Sequence, residues 1–506
     1  MRSYIPLAHR LQTSAAQHAD AEALVHGSRR VTYAALWRQV CAVTGYLRGV
    51  GLTEGDRVAV VLENSTEYVA AYYGTLAAGG VAVGMNASAR ARELSSWLTH
   101  CGARVLFVDA RHPDLQQLID TDFPALTIVI VDHAGDGGQW TSVLNSSPAA
   151  PIDARADDAA AILYTSGTTG RPKGVTLTHG NLSDNAASII EYLGLEAADR
   201  VLNLLPFFYS YGSSVLHTHL AVGATVVIEN QLVYPQRVLA RMADERITGF
   251  PGVPSTFALL LQAGDFSKFN LASLRYLTQA GGAMPTTTVR RLSEALPQAK
   301  LFVMYGQTEA TARLTYLPPE RLSDKLGSVG IPIPGVEIIV TDDDDGAVGP
   351  GVPGEVCVRG GNVMKGYFRD EEATRAVLRN GWLHTGDLGH LDADGYLYLQ
   401  GRRSDIIKSG AHRISPLDIE DVIVALPEVA EAAVVGVPDE VLGESIKAVI
   451  TLKPGATLDA MRVQRHCSEQ LPRYKVPRTI EFATSLPRTS SGKIMRYQLT
   501  GAASTL

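Results

Sequence analysis

The sequence predicts an α/β protein with three parts: a large N-terminal domain of stacked α/β sheets, a β-rich subdomain, and a small α+β C-terminal domain. Short apolar runs alternate with longer helical patterns up to about residue 330. Prolines, glycines and aspartates then separate short β-like runs, and a compact α+β pattern begins near residue 401. The chain of 506 residues is long enough for about three domains of average size.

The first apolar runs have the length and composition of buried strands. Residues 57–62, 80–83, 103–108 and 126–131 are rich in valine, leucine and isoleucine, and residues 67–78 carry a helical pattern. Strands that alternate with helices in this way form parallel sheets with helices on their faces. We therefore predict parallel sheets in the N-terminal domain.

The amino-acid composition and pattern of the sequence change after about residue 330. Pro332, Pro334 and Gly335 begin a series of turn signals that predicts a smaller β-rich unit. A further boundary is predicted near residues 401–405, which divides the chain into residues 1–401 and residues 402–506, a normal size for a small domain. The elements predicted beyond it are a helix over 416–426, strands over 429–437 and 446–452, and a helix over 458–470.

Charge and apolar content exclude several classes of partner. The net charge is −7, from 45 Lys plus Arg against 52 Asp plus Glu, so no general attraction to nucleic acid or to an anionic membrane is expected. No apolar run has the roughly 18 residues of a membrane span, and the N-terminus lacks the apolar core of a signal peptide. The four cysteines show no metal-ligand spacing. These observations predict a cytoplasmic protein with incidental thiols.

The most informative segment is Leu163–Gly174, which follows one apolar strand and precedes another. Its last ten residues contain four hydroxyl side chains, three glycines and Lys173. Glycines let successive N–H groups point inward and form an anion nest, while hydroxyls and a lysine add donors and charge. The spacing differs from a P-loop because Lys173 follows Pro172 and precedes Gly174. The segment suits a polyphosphate, and a polar hairpin loop is the alternative from composition alone.

Residues 165–174 resemble the phosphate-loop motif of the ANL superfamily, which comprises acyl-CoA synthetases, adenylation domains and firefly luciferases. Similar blocks follow in the family's order at residues 304–309, 381–387 and 487–494, so the resemblance covers nearly the whole chain. It implies an AMP-forming carboxylic acid ligase. Residues 1–401 would then bind ATP and the acid, and residues 402–506 would act as a mobile lid.

The resemblance also implies individual roles. Thr308 is expected at the α-phosphate, Glu309 on Mg²⁺, and Lys493 between the substrate carboxylate and the nucleotide in the transition state. Tyr305 is expected against adenine and Asp387 on the ribose hydroxyls. The residues expected to contact the nucleotide are Thr165, Ser166, Gly167, Thr168, Thr169, Gly170, Lys173, Gly282, Ala283, Tyr305, Gly306, Asp387 and Arg402. Without the resemblance, Tyr305 and Glu309 would be interpreted as a buried tyrosine and a helix-capping glutamate.

The expected acid pocket is lined by Tyr209, Ser210, Ser213, Ser214, Gly252, Thr278, Ala280, Met304 and Ala312. Most of these side chains are small, which predicts a roomy, mostly neutral pocket for an aromatic or medium-length acyl acid. Ser210 stands where amino-acid-activating relatives place Asp, and a buried ammonium would lack its partner there. An α-amino acid is therefore not expected. Arg313 is expected to point to the surface, with contact to a polar group of the substrate as the alternative.

Residues 405–416 resemble the loop that faces the acceptor, in which Lys408, Gly410 and Ala411 are the candidate residues. Ser404 occupies the expected hinge position. The implied second step transfers the acyl group to CoA or to the phosphopantetheine of an acyl carrier protein. An amide-forming ligase that uses an amine acceptor is the alternative. Expected partners are a small carboxylic acid and, as a candidate, a carrier protein, with the chain a monomer or a homodimer.

Overall fold

The computed structural model describes residues 4–123, 125–132, 138–165, 173–232, 234–262, 265–410, 412–488 and 494–500. The α-helices of these residues are α1 (Leu7–Gln17), α2 (Tyr33–Gly49), α3 (Thr66–Ala78), α4 (Ala91–Cys101), α5 (Leu115–Asp120), α6 (Gln139–Leu144), α7 (His179–Leu193), α8 (Ser210–Ala221), α9 (Pro235–Asp244), α10 (Pro254–Gln262), α11 (Thr286–Ala295), α12 (Glu371–Val377), α13 (Pro416–Val424) and α14 (Ala460–Gln470). None of them is long and apolar enough to cross a membrane.

The β-strands of the same residues are β1 (Glu22–His26), β2 (Arg29–Thr32), β3 (Arg57–Val61), β4 (Val81–Gly84), β5 (Ala103–Asp109), β6 (Thr127–Val131), β7 (Ala159–Thr165), β8 (Lys173–Thr178), β9 (Arg200–Asn203), β10 (Thr225–Ile228), β11 (Gly249–Gly252), β12 (Tyr276–Gln279), β13 (Lys300–Tyr305), β14 (Thr315–Leu317), β15 (Ile331–Pro332), β16 (Val336–Thr341), β17 (Gly354–Gly360), β18 (Gly366–Tyr367), β19 (Leu378–Arg379), β20 (Trp382–Leu391), β21 (Leu397–Arg402), β22 (Ile407–Ser409), β23 (His412–Ile414), β24 (Val429–Asp439), β25 (Gly443–Leu452) and β26 (Thr479–Ala483).

The first large sheet has the strand order β18-β8-β7-β4-β3-β5-β6. Strands β7, β4, β3, β5 and β6 run parallel, which confirms the parallel arrangement predicted from the apolar runs. Strands β8 and β18 extend this sheet in antiparallel pairs. Helix α3 is buried along its whole length and packs against α1 and α2, because its apolar residues surround the helix on all sides.

The second large sheet has the order β15-β14-β13-β12-β11-β9-β10-β1-β2. Its central strands from β13 to β1 are parallel, with antiparallel strands at both edges. The carboxyl ends of β12 and β13 are therefore neighbours at one edge of the sheet. Ligands of open parallel sheets bind at such an edge, and the Gly281–Ala283 and Gly306–Glu309 segments begin there.

The β-rich subdomain is the antiparallel sheet β16-β17-β20-β19, with β21 also paired to β20. This architecture agrees with the turn-rich pattern of the sequence after residue 330. Within the β20–β21 pair, Asp387 lies opposite Arg402, which brings two of the predicted nucleotide residues together.

The C-terminal domain contains the sheet β23-β22-β25-β24, with β26 added parallel to β25. Helices α13 and α14 pack on it over a core that includes Ile419, Ile423, Val463 and Cys467. The predicted elements occur at their predicted places, although β25 begins three residues early, at Gly443. The mixed α/β class with a large N-terminal and a smaller C-terminal domain is thus confirmed. The boundary between residues 401 and 402 stays a prediction.

Candidate active site

Three predicted nucleotide residues from separate strands form one hydrogen-bonded group. Tyr305 ends β13, Asp387 lies in β20, and Arg402 ends β21. The Tyr305 hydroxyl donates to Asp387 Oδ2 at 2.5 Å, and Arg402 Nε lies 2.9 Å from Asp387 Oδ1. Arg402 also donates to the Thr385 carbonyl at 2.8 Å. The group joins the nine-stranded sheet to the β-rich subdomain.

Burial sets the protonation of this group. Burial and the adjacent Asp387 carboxylate raise the pKa of Tyr305 well above its ordinary value. Burial lowers the pKa of Arg402, but the attraction of Asp387 and of further nearby groups, Glu309 among them, together outweighs it, and the net shift is upward. The Tyr305 phenol therefore remains a neutral donor and Arg402 a cation. A neutral aromatic face beside a carboxylate suits a planar base attached to a hydroxyl-bearing sugar.

A second group joins Lys173 to Glu309 through a tyrosine that sequence analysis missed. The Tyr367 hydroxyl donates to Glu309 Oε1 at 2.9 Å, and Lys173 Nζ lies 4.8 Å from the centre of the Tyr367 ring. Strand β18, which carries Tyr367, pairs with β8, which begins at Lys173. Burial and the Glu309 carboxylate raise the pKa of Tyr367, so its hydroxyl remains a donor. The glycines that precede Tyr367 in the sequence were the feature that could have indicated this part of the site.

Between these groups, the predicted catalytic residue Thr308 meets the predicted acid pocket. Thr308 begins a short 3₁₀ helix, Thr308–Ala310, and Ser210 begins α8. Thr308 Oγ1 lies 3.3 Å from Ser210 Oγ. The start of α8 is therefore the end of the pocket at which the reacting carboxylate would sit.

The chain after β13 folds back sharply, and Gly306 permits this turn. A Cβ atom at Gly306 would lie 1.9 Å from the Ala312 carbonyl oxygen, a distance that no side chain tolerates. Gly281, in the loop after β12, has a φ of +86°, which favours glycine. In that loop, the Gln279 side chain donates to the Gly282 carbonyl at 2.7 Å, and Gly282 and Ala283 are exposed.

A strained residue and its clamp shape the same turn. Thr311 has a φ of +66° and a ψ of −53°, the conformation of a strained γ-turn and a genuine outlier for a β-branched residue. Its hydroxyl donates to the Asn362 carbonyl at 2.6 Å. Asn362 Nδ2 in turn donates to the carbonyls of Ala310 at 3.2 Å and Arg313 at 2.8 Å. Asn362 was also missed by sequence analysis, because its role depends on contacts between distant segments.

The predicted acid-pocket residues lie on α8 and at the carboxyl ends of the nine-stranded sheet. The Ser213 and Ser214 hydroxyls donate to the carbonyls of Ser210 and Tyr211 in their own helix. The Met304 sulfur accepts from the Tyr192 hydroxyl at 3.1 Å. The Tyr209 ring lies 4.3 Å from the Phe208 ring. The remaining predicted residues, all buried, are Gly252, Thr278, Ala280 and Ala312.

One expectation about this pocket is wrong. Arg313 does not point to the surface: it is 3% exposed, and its guanidinium lies 4.0 Å from the centre of the Tyr211 ring. The clamped turn before it directs the side chain inward. Around Ser214, the structure has a narrow cavity lined by Ser214, Thr278 and Arg313. The size of the acid pocket as a whole stays a prediction.

Comparison with known proteins identifies the family. Residues 11–368 match the AMP-binding enzyme family, and residues 418–493 match the AMP-binding enzyme C-terminal domain. The chain is a member of this family of AMP-forming acyl ligases. It is 34% identical over 482 residues to a feruloyl-CoA synthase of Amycolatopsis sp, with 95% of each chain covered.

Solved structures agree with this assignment. The anthranilate CoA ligase AuaEII in complex with anthranoyl-AMP has a TM-score of 0.91 and 29% identity, with 99% of this chain and 97% of that chain covered. ATP-bound MatB from Rhodopseudomonas palustris has a TM-score of 0.91 and 31% identity, with 98% of each chain covered. The resemblance seen in the sequence motifs is confirmed.

The predicted acceptor loop of this acyl ligase contacts neighbouring segments of the C-terminal part of the chain. The Lys408 amide donates to Glu444 Oε2 at 2.6 Å, and the Gly410 amide donates to the Leu442 carbonyl at 2.8 Å. The Ser404 hydroxyl donates to Asp405 Oδ1 at 3.0 Å.

Some of the predicted site residues lie outside the described residues: Ser166, Gly167, Thr168, Thr169, Gly170, Ala411 and Lys493.

The described donor set fits a magnesium nucleotide. Buried Gln307 Nε2 and Gln279 Oε1 have no hydrogen-bond partner among the described residues, and both lie at the ligand-binding edge of the nine-stranded sheet. The Glu309 carboxylate and the Thr308 hydroxyl supply oxygen atoms, which Mg²⁺ prefers together with phosphate oxygens. Thr165 ends β7 directly opposite Lys173, so the two ends of the predicted phosphate loop are paired.

Proposed function

We propose that this ligase joins a carboxylic acid to ATP, forming an acyl-adenylate and pyrophosphate, and then transfers the acyl group to the thiol of CoA. The observation that carries the proposal is the contact of Thr308 with Ser210, in a segment whose two ends, Tyr305 and Glu309, belong to two different polar groups. The Tyr305–Asp387–Arg402 group suits a nucleoside, and the Lys173–Tyr367–Glu309 group suits phosphate and metal. The reacting carboxylate would enter from the start of α8, where Ser210 meets Thr308.

In the first step, a carboxylate oxygen attacks the α-phosphorus of ATP, and the bond to the bridging oxygen of pyrophosphate breaks. Tyr305 would face the base, and Asp387 would accept hydrogen bonds from the ribose hydroxyls. Thr308 would donate to the α-phosphate, and Lys173 would neutralise the outer phosphates. Bound Mg²⁺, held by Glu309, would neutralise phosphate charge. The protein's contribution is positioning and electrostatic stabilisation.

Lys493 is proposed to complete the site from the C-terminal domain. Its ammonium would lie between the attacking carboxylate and the α-phosphate, where negative charge concentrates in the transition state. Residues 402–506 would then act as a lid that turns about Ser404 and brings Lys408, Gly410 and Ala411 to the acyl group for the second step. Two steps in one site require such an alternation.

The proposed acceptor is CoA rather than a carrier protein or an amine. The similar proteins support this choice, because their names include feruloyl-CoA synthase, indoleacetate–CoA ligase and 2-succinylbenzoate–CoA ligase. Most of these names also specify an aromatic acid, and the solved anthranilate CoA ligase holds anthranoyl-AMP. The proposed substrate is therefore an aromatic or medium-length acyl acid. Its activated product would leave as a thioester.

Pyrophosphate release tests the proposal. The purified protein is incubated with ATP, Mg²⁺ and a panel of aromatic and acyl acids, with and without CoA. We expect acid-dependent release and, with CoA present, consumption of the thiol. Release without thiol consumption would favour a carrier or amine acceptor. No release with any acid would refute the assignment.

Variants separate the proposed roles. Lys493→Ala and Glu309→Gln should each lower adenylation at least about 100-fold, the scale expected when a transition-state contact is lost. Glu337→Gln is the matched control, because Glu337 is an exposed residue of β16 that contacts Arg359. Near wild-type adenylation by either site variant would refute the role given to that residue.

A further inference from the structure

Arg313 is a fully buried cation close to the end of the acid pocket. Its Cζ atom lies 4.0 Å from the centre of the Tyr211 ring. One Nη donates only a long bond, 3.4 Å, to the carbonyl of the preceding residue, Ala312. Its Nε has no hydrogen-bond partner among the described residues. A buried guanidinium normally has its five N–H donors paired, so this arrangement leaves donors available.

No carboxylate in the described part of the chain neutralises this charge. The side chains that line the cavity beside Arg313 contain no aspartate or glutamate: they are Ile189, Leu193, Val201, Ser214, Val215, Thr218, His219, Pro251, Tyr276 and Thr278. Burial raises the pKa of the adjacent Tyr192 to about 12, against the opposing effect of Arg313. That phenol is therefore neutral. His219 is neutral as well, because burial lowers its pKa to about 4.

The hydroxyls of the aromatic neighbours of Arg313 donate elsewhere, so these neighbours offer the cation only neutral oxygen acceptors, of which the Tyr192 oxygen is in hydrogen-bond contact with Arg313. The Tyr211 hydroxyl donates to the Thr278 carbonyl at 2.8 Å, and the Tyr192 hydroxyl donates to the Met304 sulfur at 3.1 Å. The Tyr211 ring supplies cation–π attraction, which is worth about 2 kcal/mol at a desolvated site. This is less than the several kcal/mol that an unpaired buried charge costs. The protein thus holds a cation that its own described residues only partly compensate.

Helix α8 gives the distance between this cation and the reacting end of the pocket. Ser210 contacts Thr308, and Ser214 and Thr218 line the cavity beside Arg313 on the same face of the helix. With a rise of 1.5 Å per residue, Ser214 lies about 6 Å and Thr218 about 12 Å beyond Ser210. The cavity itself is narrow, so a carboxylate would enter it only as the surrounding side chains move apart. Only the end of a substrate would reach into it.

We propose that Arg313 binds a second carboxylate of the substrate, so that this ligase activates one end of a dicarboxylic acid. The proposal rests on the proposed adenylation and names the acid that undergoes it. The two carboxylates would be separated by about 6 to 12 Å, a span set by one to two turns of α8. Dicarboxylates between adipate and sebacate, and benzene-ring diacids, cover this range. A planar guanidinium matches a carboxylate through paired N–H donors.

The test compares each diacid with its own monomethyl ester, which keeps the length and removes the second charge. Pyrophosphate release is measured with wild type and with Arg313→Met over the series from succinate to sebacate. We expect wild type to prefer the best diacid over its monoester by about 100-fold in kcat/KM, the scale of a desolvated charge pair. Arg313→Met should lose that preference and retain activity on monoesters. Equal wild-type rates on diacid and monoester would overturn the proposal.

Two further measurements keep the outcome decisive. Thermal shift with the diacids alone reports binding without chemistry, and a stabilisation equal in wild type and Arg313→Met would also overturn the proposal. Arg57→Met is the matched control: Arg57 donates to the carbonyls of Cys101 and Gly102 in the other large sheet. It should lose stability while keeping the diacid preference. Arg313→Met should keep or raise the melting temperature because it removes a buried unpaired charge. A large fall in the melting temperature, with loss of activity on all acids, would show that Arg313 has a structural role and would overturn the proposal.

The two proposals fail in different ways. Activation of monocarboxylic acids alone would leave the adenylation function intact and refute the dicarboxylate assignment. Absence of pyrophosphate release with every acid would refute the adenylation function. In that case, thermal shift would still show whether diacids bind and whether their binding depends on Arg313.

Discussion

Replacing Tyr305 with Phe removes one hydroxyl and keeps the ring that is proposed to face adenine. The lost hydrogen bond is short, 2.5 Å, buried, and made to the Asp387 carboxylate. Hydrogen bonds to a charged group contribute about 1.5–3 kcal/mol, against about 0.5–1.5 kcal/mol for neutral pairs. Asp387 keeps its contact with Arg402 at 2.9 Å, so the carboxylate is not left unpaired. We expect Tyr305→Phe to lower the free energy of unfolding by about 2 kcal/mol.

The assay combines denaturant unfolding with kinetics. Tyr33→Phe is the matched control, because Tyr33 is also fully buried and its hydroxyl donates to a neutral acceptor, the Ala224 carbonyl, at 2.6 Å. Its loss should be about 1 kcal/mol. In the ATP titration, Tyr305→Phe should raise KM for ATP because Asp387 loses an orienting contact. Tyr33→Phe should leave that KM unchanged.

A smaller loss of stability in Tyr305→Phe than in Tyr33→Phe would refute the reasoning that the charged acceptor makes the Tyr305 bond the stronger one. An unchanged KM for ATP would refute the link between this bond and the ribose site.

Three other predictions follow from the same structure. Tyr367→Phe removes the only described donor to Glu309 Oε1. It should lower the rate of adenylation about 10-fold and shift its dependence on Mg²⁺, because the loss of a group that orients a metal ligand has effects of this size. If neither the rate nor the Mg²⁺ dependence changes, the role given to Tyr367 is wrong. Asn362→Ala removes the clamp on the strained Thr311 turn and should lower the melting temperature and impair activity together, whereas a loss of activity without destabilisation would point to a direct role. Burial lowers the pKa of His217 from 6.5 to about 3, so the unfolded chain binds the extra proton first and stability should fall as the pH drops from about 6.5 to about 3. His217→Phe should flatten the melting temperature over that range, and an unchanged pH profile would contradict the buried neutral state.

Local pattern predicted the elements of this fold well. Strand β3 was expected over 57–62 and occupies Arg57–Val61, and α3 was expected over 67–78 and occupies Thr66–Ala78. A strand that is buried in a sheet consists mostly of apolar residues. A few consecutive residues are therefore enough to predict such a strand. Parallel topology then placed Tyr305 near the loop after β12, because carboxyl ends of neighbouring parallel strands meet.

The details of the site depend on contacts that no local pattern encodes. Arg313 points inward because Asn362 holds the turn before it, and these two residues come from distant segments of the chain. Tyr367 reaches Glu309 only because β18 adds to the edge of the first large sheet. When the orientation of a side chain depends on a residue far away in the chain, the local sequence does not indicate that orientation. The composition of the pocket therefore predicted small, neutral walls and missed the buried charge.

The pairing of Asp387 with Arg402 has a mechanical consequence. Arg402 is the last residue of β21, and the next residue, Arg403, donates its amide to the Gly386 carbonyl at 2.9 Å. The proposed ribose carboxylate and the start of the C-terminal domain are thus neighbours on one ladder of hydrogen bonds. The proposed rotation of that domain about residues 403–405 would pull on the ladder beside the proposed ribose site. By thermodynamic reciprocity, a nucleotide that orders the ladder must also bias the orientation of the domain, and each orientation must have its own nucleotide affinity.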